Sequence, residues 1–370
     1  MPHALAKTFL LVAAAICFEA SSQPFPAKPI RILVGFAPGG NTDVVARVTA
    51  ARMQDLLGQP VLVENKPGAG GVVATDFIAK APPDGYTLLM SSLGPHTVSP
   101  FLLKSVGFDP VTDLAPVSNV AVNALLLMVN PSLPVKSVPE LIAYAKANPG
   151  KLNFGSSGIG ATTHLSGEVF SSMAGVKLVH VAFKGGPPAI AALLAGDLQL
   201  MFANLSDALP QVKGGKLRGL AVTTSRRVPQ VPDLPTVAES GLPGFDVAPW
   251  NGLVAPGKTP PEIVARLSET VQRIAREQPF RDKMFEIGSE PLGDTPEQFR
   301  ATILHDIQRW ANPPAPRQGR RRAACGCRRC WYPLASCGPR HSRRPPPGSF
   351  PRARARRRAK SCRDACAPAP

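Results

Sequence analysis

Nine residues near the start of the chain, Gly35-Phe36-Ala37-Pro38-Gly39-Gly40-Asn41-Thr42-Asp43, have the types and spacing of an anion-binding turn. An apolar run from Ile30 to Val34, broken only by Arg31, leads into them. Val44, Val45, Val48, Met53, Leu56 and Leu57 recur behind them at helical spacing. A glycine-rich turn that opens a helix leaves backbone N–H groups unpaired, and the helix dipole favours negative charge there. The same logic returns at Gly155-Ser156-Ser157-Gly158-Ile159-Gly160-Ala161-Thr162-Thr163-His164, after the short strand Leu152 to Phe154. Its glycines permit positive φ and close backbone approach, and its four hydroxyls add donors. Two such turns, one in each half of the chain, predict two jaws around one small anion.

Other chemistries fit these residues poorly. Neither turn reads G-x-x-x-x-G-K-S/T, and Gly35-x3-Gly39-Gly40 lacks the G-x-G-x-x-G spacing of dinucleotide sites. Gly155-Ser156-Ser157-Gly158-Ile159 carries isoleucine where a nucleophile elbow needs glycine. His96, His164, His180 and His305 are far apart in sequence, with no paired carboxylate motif. No catalytic residue, metal or cofactor is expected, and His164, at a helix start, reads as a hydrogen-bonding or packing residue.

Strand-like apolar runs alternate with helical patterns from residue 24 to 310, enough chain for two domains. Val61-Leu62-Val63 is followed by Gly68-Ala69-Gly70-Gly71, which opens a helix through Ala79. Pro82-Pro83-Asp84-Gly85 turns into the strand Tyr86 to Met90. Val117 to Val129 is long for one sheet and is read as a strand crossing between domains. Val138 to Ala147 is helical and stops at Asn148-Pro149-Gly150. Leu178 to Phe183, Leu198 to Phe202 and Leu217 to Val222 are further strands, with helices at Ala161 to Met173 and Pro188 to Ala195 among them. Ile263 to Ala275 and Pro296 to Trp310 are helical again. This alternation predicts an α/β fold with mostly parallel sheets flanked by helices, and ligands bind beyond the carboxyl ends of such strands.

Two end segments stand apart. Residues 1–23 read as a secretory signal: Lys7, an apolar run from Phe9 to Phe18, and small residues at Ala20-Ser21-Ser22. A lipoprotein reading through Cys17 is disfavoured by Ile16. Residues 311–370 hold fifteen arginines and one lysine against one acidic residue, so the tail carries nearly all of the formal charge of +17. It also holds six of the seven cysteines. A nucleic-acid arm or a thiolate site at Cys325-x-Cys327-x2-Cys330 are alternatives, but no second cysteine pair with finger-like spacing follows. Its Arg, Pro, Ala, Gly and Cys bias fits a GC-rich gene read in a shifted frame. Such a segment cannot bury a core and is expected to be disordered.

Several stretches together resemble the Bug-type (TctC-like) extracytoplasmic solute receptors of the tripartite tricarboxylate transporter family. They are Lys28-Pro29-Ile30-Arg31, Val34 to Gly40 with Asp43, Val63 to Gly71, Pro83 to Leu89, Gly155-Ser156 through His164-Leu165, Lys184-Gly185-Gly186, Ala191 to Gly196, and Gly214 to Arg218. The likeness covers about residues 25–310. It implies a type II, two-domain periplasmic binding protein of the Venus flytrap kind. Domain 1 would join residues 24–123 to 248–310, and domain 2 would span 124–247. By position, Phe36, Ala37, Pro38, Gly39, Gly40, Thr42 and Asp43 would face the ligand from one jaw. Ser156, Ser157, Gly158, Gly160, Thr162 and Thr163 would face it from the other. Phe36 would pack on the ligand's carbon skeleton, and Asn204 and Asp207 would select its far end.

The implied ligand is a small carboxylate: a di- or tricarboxylate, an amino acid or an aromatic acid. The implied partner is a membrane transporter, with no nucleic acid and a monomeric, periplasmic protein. A ligand sensor for a signalling partner and a secreted α/β enzyme are the alternatives. The sequence departs from the family pattern at Ala182 and Phe183, where proline and tyrosine are common. It also departs at Leu198-Gln199-Leu200, which lacks an acidic residue, and in its tail.

Overall fold

The run Ile30–Val34 forms β1, and its side chains are almost all buried because the strand sits inside a sheet. The computed structural model describes residues 25–103 and 105–311; the expected leader and the basic tail lie outside them. After β1 come α1 (Asn41–Leu57), β2 (Val61–Asn65), α2 (Val72–Ala79), β3 (Thr87–Ser92) and the short α3 (Ser99–Leu102). The chain then runs through β4 (Leu114–Asn123), β5 (Leu125–Val129), α4 (Val138–Ala147), β6 (Asn153–Ser156), α5 (Thr162–Ala174) and β7 (Val179–Ala182). It continues with α6 (Gly186–Ala195), β8 (Leu200–Asn204), α7 (Leu205–Lys213) and β9 (Arg218–Val222). The closing elements are β10 (Trp250–Pro256), α8 (Pro261–Arg276), α9 (Gln278–Glu286), β11 (Ser289–Pro291) and α10 (Pro296–Ala311).

Local chemistry sets several of these boundaries. Gly58 ends α1 in the left-handed region at φ 68° and donates its N–H to the Gln54 carbonyl. Ser137 caps α4: its hydroxyl accepts from the Glu140 N–H at 3.3 Å while the Glu140 carboxylate accepts from the Lys136 N–H at 2.8 Å. The serine cap contributes about 1 kcal/mol.

Two sheets result, with strand orders β11-β4-β10-β3-β1-β2 and β7-β6-β8-β5-β9. Helices cover both faces of each, and the core divides into apolar clusters between helices and sheets. The expectation of mostly parallel sheets needs correcting, because both are mixed. Only β1, β2 and β3, and β6, β7 and β8, pair in parallel. Strands β4, β5, β9, β10 and β11 pair antiparallel. The reason is topological: right-handed βαβ crossovers make parallel pairs, whereas β5 and β10 enter their sheets directly from the other one.

The apolar run read as a crossing strand is two strands in two sheets, broken at Ala124. The return path lies beside it. The Asn123 N–H donates to the Pro249 carbonyl at 2.7 Å, and the Val247 N–H donates to the Thr223 carbonyl at 2.9 Å. Thr223 Oγ1 accepts from the Leu125 N–H and donates to the Val247 carbonyl. The two crossing segments therefore form a short hydrogen-bonded ribbon between the lobes.

Helix α10 completes the first lobe by burying Phe299, Ile303 and Trp310. Trp250 Nε1 donates to Asp306 Oδ2 at 2.8 Å, and the Trp250 ring meets Phe299 edge-on. His96 is sealed beneath the same region, in a wide helical turn at Gly94–Val98. Its Nδ1 lies 3.2 Å from Ser91 Oγ and its Nε2 3.0 Å from the Pro110 carbonyl, which a neutral ring satisfies at both nitrogens. Burial pushes its pKa down to about 4. The unfolded chain then takes up a proton near pH 6.5 that the folded one refuses. Stability is full above about pH 6.5 and falls as the pH drops toward 4, by on the order of 3 kcal/mol for this ring. Urea unfolding from pH 7.5 to 4.5 should show that decline, and His96→Gln should make it shallower without abolishing it, because burial also depresses His180; an equally steep decline in the variant would contradict this account.

Candidate ligand cleft

The β1–α1 and β6–α5 turns face each other between the sheets, and the residues they bring together enclose a cavity of about 30 Å³. The first lobe contributes Phe36, Gly40, Asn41 and Thr42 from the opening turn, Ser92 from the end of β3, and Asn123, Pro249, Trp250 and Asn251 from the crossing ribbon. The second contributes Ser157, Ala161, Thr162 and Thr163 from the second turn, Gly186 from the start of α6, and Asn204 and Asp207 at the start of α7. A volume of this size holds one or two waters, so these jaws are shut.

Four helices begin at this cavity: α1, α5, α6 and α7. None of the four has a side-chain hydrogen bond capping its N-terminus. Their first-turn N–H groups have no helical partner, and their dipoles place partial positive charge at one point. No lysine, arginine or histidine lines the cavity; its one titratable side chain is Asp207. Burial raises the Asp207 pKa to about 6, against the lowering effect of Ser206, Asn204 and the Asn41 N–H. A larger cavity of about 660 Å³ opens behind the crossing ribbon. It is lined by Arg226, Arg227, Arg281, Asp246, Asp282 and Glu290 among others, a mixed-charge surface without converging helix ends.

The expected site residues divide in two. Phe36, Gly40, Thr42, Ser157, Thr162, Thr163, Asn204 and Asp207 line the cavity, and Ala37, Pro38, Gly39, Asp43, Ser156, Gly158 and Gly160 do not. Gly39 gives its N–H to Asp43 Oδ2 at 2.9 Å, and that carboxylate also accepts from Arg47 Nε and Asn65 Nδ2. Burial raises the Asp43 pKa, but these three donors outweigh it and hold the carboxylate below its usual range. Asp43 therefore shapes the turn from behind.

Ser156 Oγ is held by Gly158 and by His180 Nε2, 2.6 Å away. The fold thus joins histidines that are distant in sequence: His180 stacks on His164 with centroids 4.0 Å apart. Burial, with the charge of His164, pushes the His180 pKa down to about 4. Ser156 is fully buried, so this serine–histidine pair braces the second turn rather than presenting a nucleophile.

Gly158 and Gly160 serve the closure. A Cβ at Gly158 would lie 2.7 Å from the Gly70 Cα, and one at Gly160 would collide with Ser99 Oγ. One at Gly185 would lie 2.9 Å from the Ala37 Cβ. Gly70 and Gly94, on the first lobe, meet the second turn backbone to backbone. The sequence marked Gly70 only as a helix opener. It also gave no ligand-facing role to Asn41, Ser92, Asn123, Ala161, Gly186, Pro249, Trp250 and Asn251. The readable signal was amide side chains inside apolar strands: Asn123 Nδ2 donates to Asn251 Oδ1 at 2.7 Å, and Asn251 Nδ2 donates to Thr42 Oγ1 at 3.0 Å.

Residues 45–312 match the family described as the tripartite tricarboxylate transporter family receptor. The chain belongs to that family. Among relatives, the protein BugT of Bordetella pertussis is 39% identical over 313 residues, covering 84% of this chain and 96% of BugT. Among solved structures, Rpa4515 of R. palustris with adipate superposes with a TM-score of 0.75 at 39% identity, covering 77% of this chain and 96% of that one. MatC from Rhodopseudomonas palustris with bound malate gives 0.74 at 35%, covering 77% and 98%. The periplasmic binding protein BugD gives 0.74 at 36%, covering 77% and 96%. The fold of this receptor is accordingly that of two-lobed periplasmic binding proteins.

The receptor closes on contacts with no room for a side chain. A Cβ at Gly94 would lie 2.6 Å from the Gly160 carbonyl oxygen and 2.9 Å from the Thr162 nitrogen, and Gly94 has no left-handed φ to strain. Gly94→Ala should therefore fold normally but keep the jaws ajar, with Tm within about 3 °C of wild type. Small-angle scattering should report a larger radius of gyration, and the buried Trp250 a red-shifted emission. An unchanged scattering curve would show that closure does not depend on this contact.

Proposed function

We propose that this chain is a periplasmic receptor that captures a small carboxylate between its two jaws and presents it, closed, to a membrane transporter. The observation that carries this is the convergence of four uncapped helix N-termini on one cavity without a cationic side chain. Such a cradle favours an anion small enough to be satisfied by backbone N–H groups and hydroxyls. Each helix end contributes roughly 0.3–1 kcal/mol, and each charge-assisted hydrogen bond about 1.5–3 kcal/mol. Micromolar binding needs about −8 kcal/mol, which four to six such contacts reach after ordering costs. The similar proteins solved with adipate and malate hold ligands of this class.

The lobes of this reading are residues 24–123 with 248–310, and residues 124–247. The change of sheet at Ala124 and the return between Thr223 and Trp250 support that division. Export through the leader at residues 1–23 fits a body that contains no cysteine. Ligand release and capture would turn on the crossing ribbon, whose opening separates Gly94 from Gly160 and hydrates the helix ends. The protein works by binding rather than catalysis, since neither serine–histidine pair among the described residues, Ser91–His96 or Ser156–His180, lines the cavity.

Thermal unfolding of the purified protein against a panel of mono-, di- and tricarboxylates, amino acids and aromatic acids tests this. A true ligand at about a hundredfold its Kd should raise Tm by about 5 °C. A panel in which no carboxylate shifts Tm would overturn the receptor reading.

A further inference from the structure

Asp207 sits in the first turn of α7 and lines the cavity. Its Oδ1 accepts from the Ser206 hydroxyl at 3.2 Å, while its Oδ2 is sealed from solvent and has no hydrogen-bond partner. Gly186, at the start of α6, makes room for that oxygen: a Cβ there would collide with Oδ2. The groups facing the carboxyl come from three helices. They are Ser206 and Asn204 beside α7, the Asn41 N–H at the start of α1, and the Gly186 backbone. All are neutral. Asp43 and Arg47 are the nearest charges on α1, and they are paired with each other and with Asn65 on the far side of the turn. Lys184, before α6, is exposed and does not line the cavity.

A carboxylate oxygen enclosed without a donor is an unmet demand. The helix ends can satisfy one ligand carboxylate. A second ligand carboxylate beside Asp207 would put two like charges in a small cavity whose lining offers no cation. A nitrogen cation in the same place would answer Oδ2 directly.

We propose that this cavity prefers a carboxylate whose far end carries a cationic nitrogen over one that ends in a second carboxylate, and that Asp207 makes the choice by accepting from that nitrogen. This rests on the receptor reading above and narrows its ligand class. Burial of Asp207, only partly offset by Ser206, Asn204 and the Asn41 N–H, puts its pKa near 6, which leaves it mostly ionised at pH 7.5 and mostly protonated at pH 5. Protonated, it would lose its attraction for the cation and could donate to a carboxylate. The preference should therefore shrink or invert as the pH falls through 6.

Isothermal titration of the full chain with length-matched pairs tests this: succinate against 4-aminobutanoate, glutarate against 5-aminopentanoate, and adipate against 6-aminohexanoate. At pH 7.5 at least one amino acid should bind about tenfold or more tightly than its dicarboxylate partner. Asp207→Asn, which keeps the shape and removes the charge, should bring that ratio to within about threefold or reverse it. Asp207→Ser and the wild type at pH 5 are independent checks should the first variant fold poorly, and both should show the same loss of preference. Dicarboxylates or plain monocarboxylates binding the wild type as tightly as the amino acids at pH 7.5 would overturn the assignment of Asp207 and leave the receptor reading standing. Binding of no carboxylate of any kind would overturn both.

Discussion

The arrangement depends on backbone meeting backbone across the gap between the lobes. Gly70 against Gly158 and Gly94 against Gly160 bring main chains closer than any side chain would allow. That approach lets helices from opposite lobes aim their open ends at the same small cavity. A larger residue at any of these points would separate the jaws, and each helix end would face water, where a dipole has little to offer an anion. The glycines of the two turns are thus divided in purpose. Gly40 lines the cavity, Gly39 gives its N–H to Asp43 to hold the first turn in shape, and Gly158 and Gly160 let the lobes touch.

Closure of this kind needs a hinge that is firm without being large. The crossing ribbon supplies it with a few main-chain bonds and a chain of amides through Thr42, Asn251 and Asn123 that ends at Ser289. These side chains are buried and hydrogen-bonded to each other, so they hold the ribbon's register without the expense of an unpaired polar group. Because Thr42 and Asn251 also line the cavity, the network connects the ligand's surroundings to the strands that bend. The antiparallel pairs made by β5 and β10 follow from the same ribbon, since strands arriving from the other lobe do not enter by a helical crossover.

The sheet-and-helix alternation was legible because buried strands are apolar runs and helices carry apolar residues at their own period. Val138–Ala147 begins and ends where a capping serine and an Asn-Pro-Gly stop place it. The turn at Gly35–Asp43 was legible for the same local reason: its glycines and its aspartate act within nine residues. Residues that act over long distance were not. Asn123 and Asn251 are 128 positions apart, Ser156 and His180 are 24 apart, and nothing in either neighbourhood announces the partner. Gly94, followed by Pro95, reads locally as no more than a turn, and its need to be glycine arises only because Gly160 comes to rest against it.

The boundary between the two kinds of information follows the range of the forces. The amino-acid sequence alone determined the alternating α/β class, the two glycine turns with their anion preference, the passage of the long apolar run between the domains, and the segregation of charge into the tail. Each rests on residues close together in the chain, whose backbone preferences and periodicity act before the chain is packed. Only the tertiary structure decided that the sheets are mixed, that four helix ends rather than two converge, that Asp43 turns away while Asp207 faces in, and that the cavity holds no cation. Those outcomes depend on which distant surfaces touch, and contact is a property of the folded arrangement.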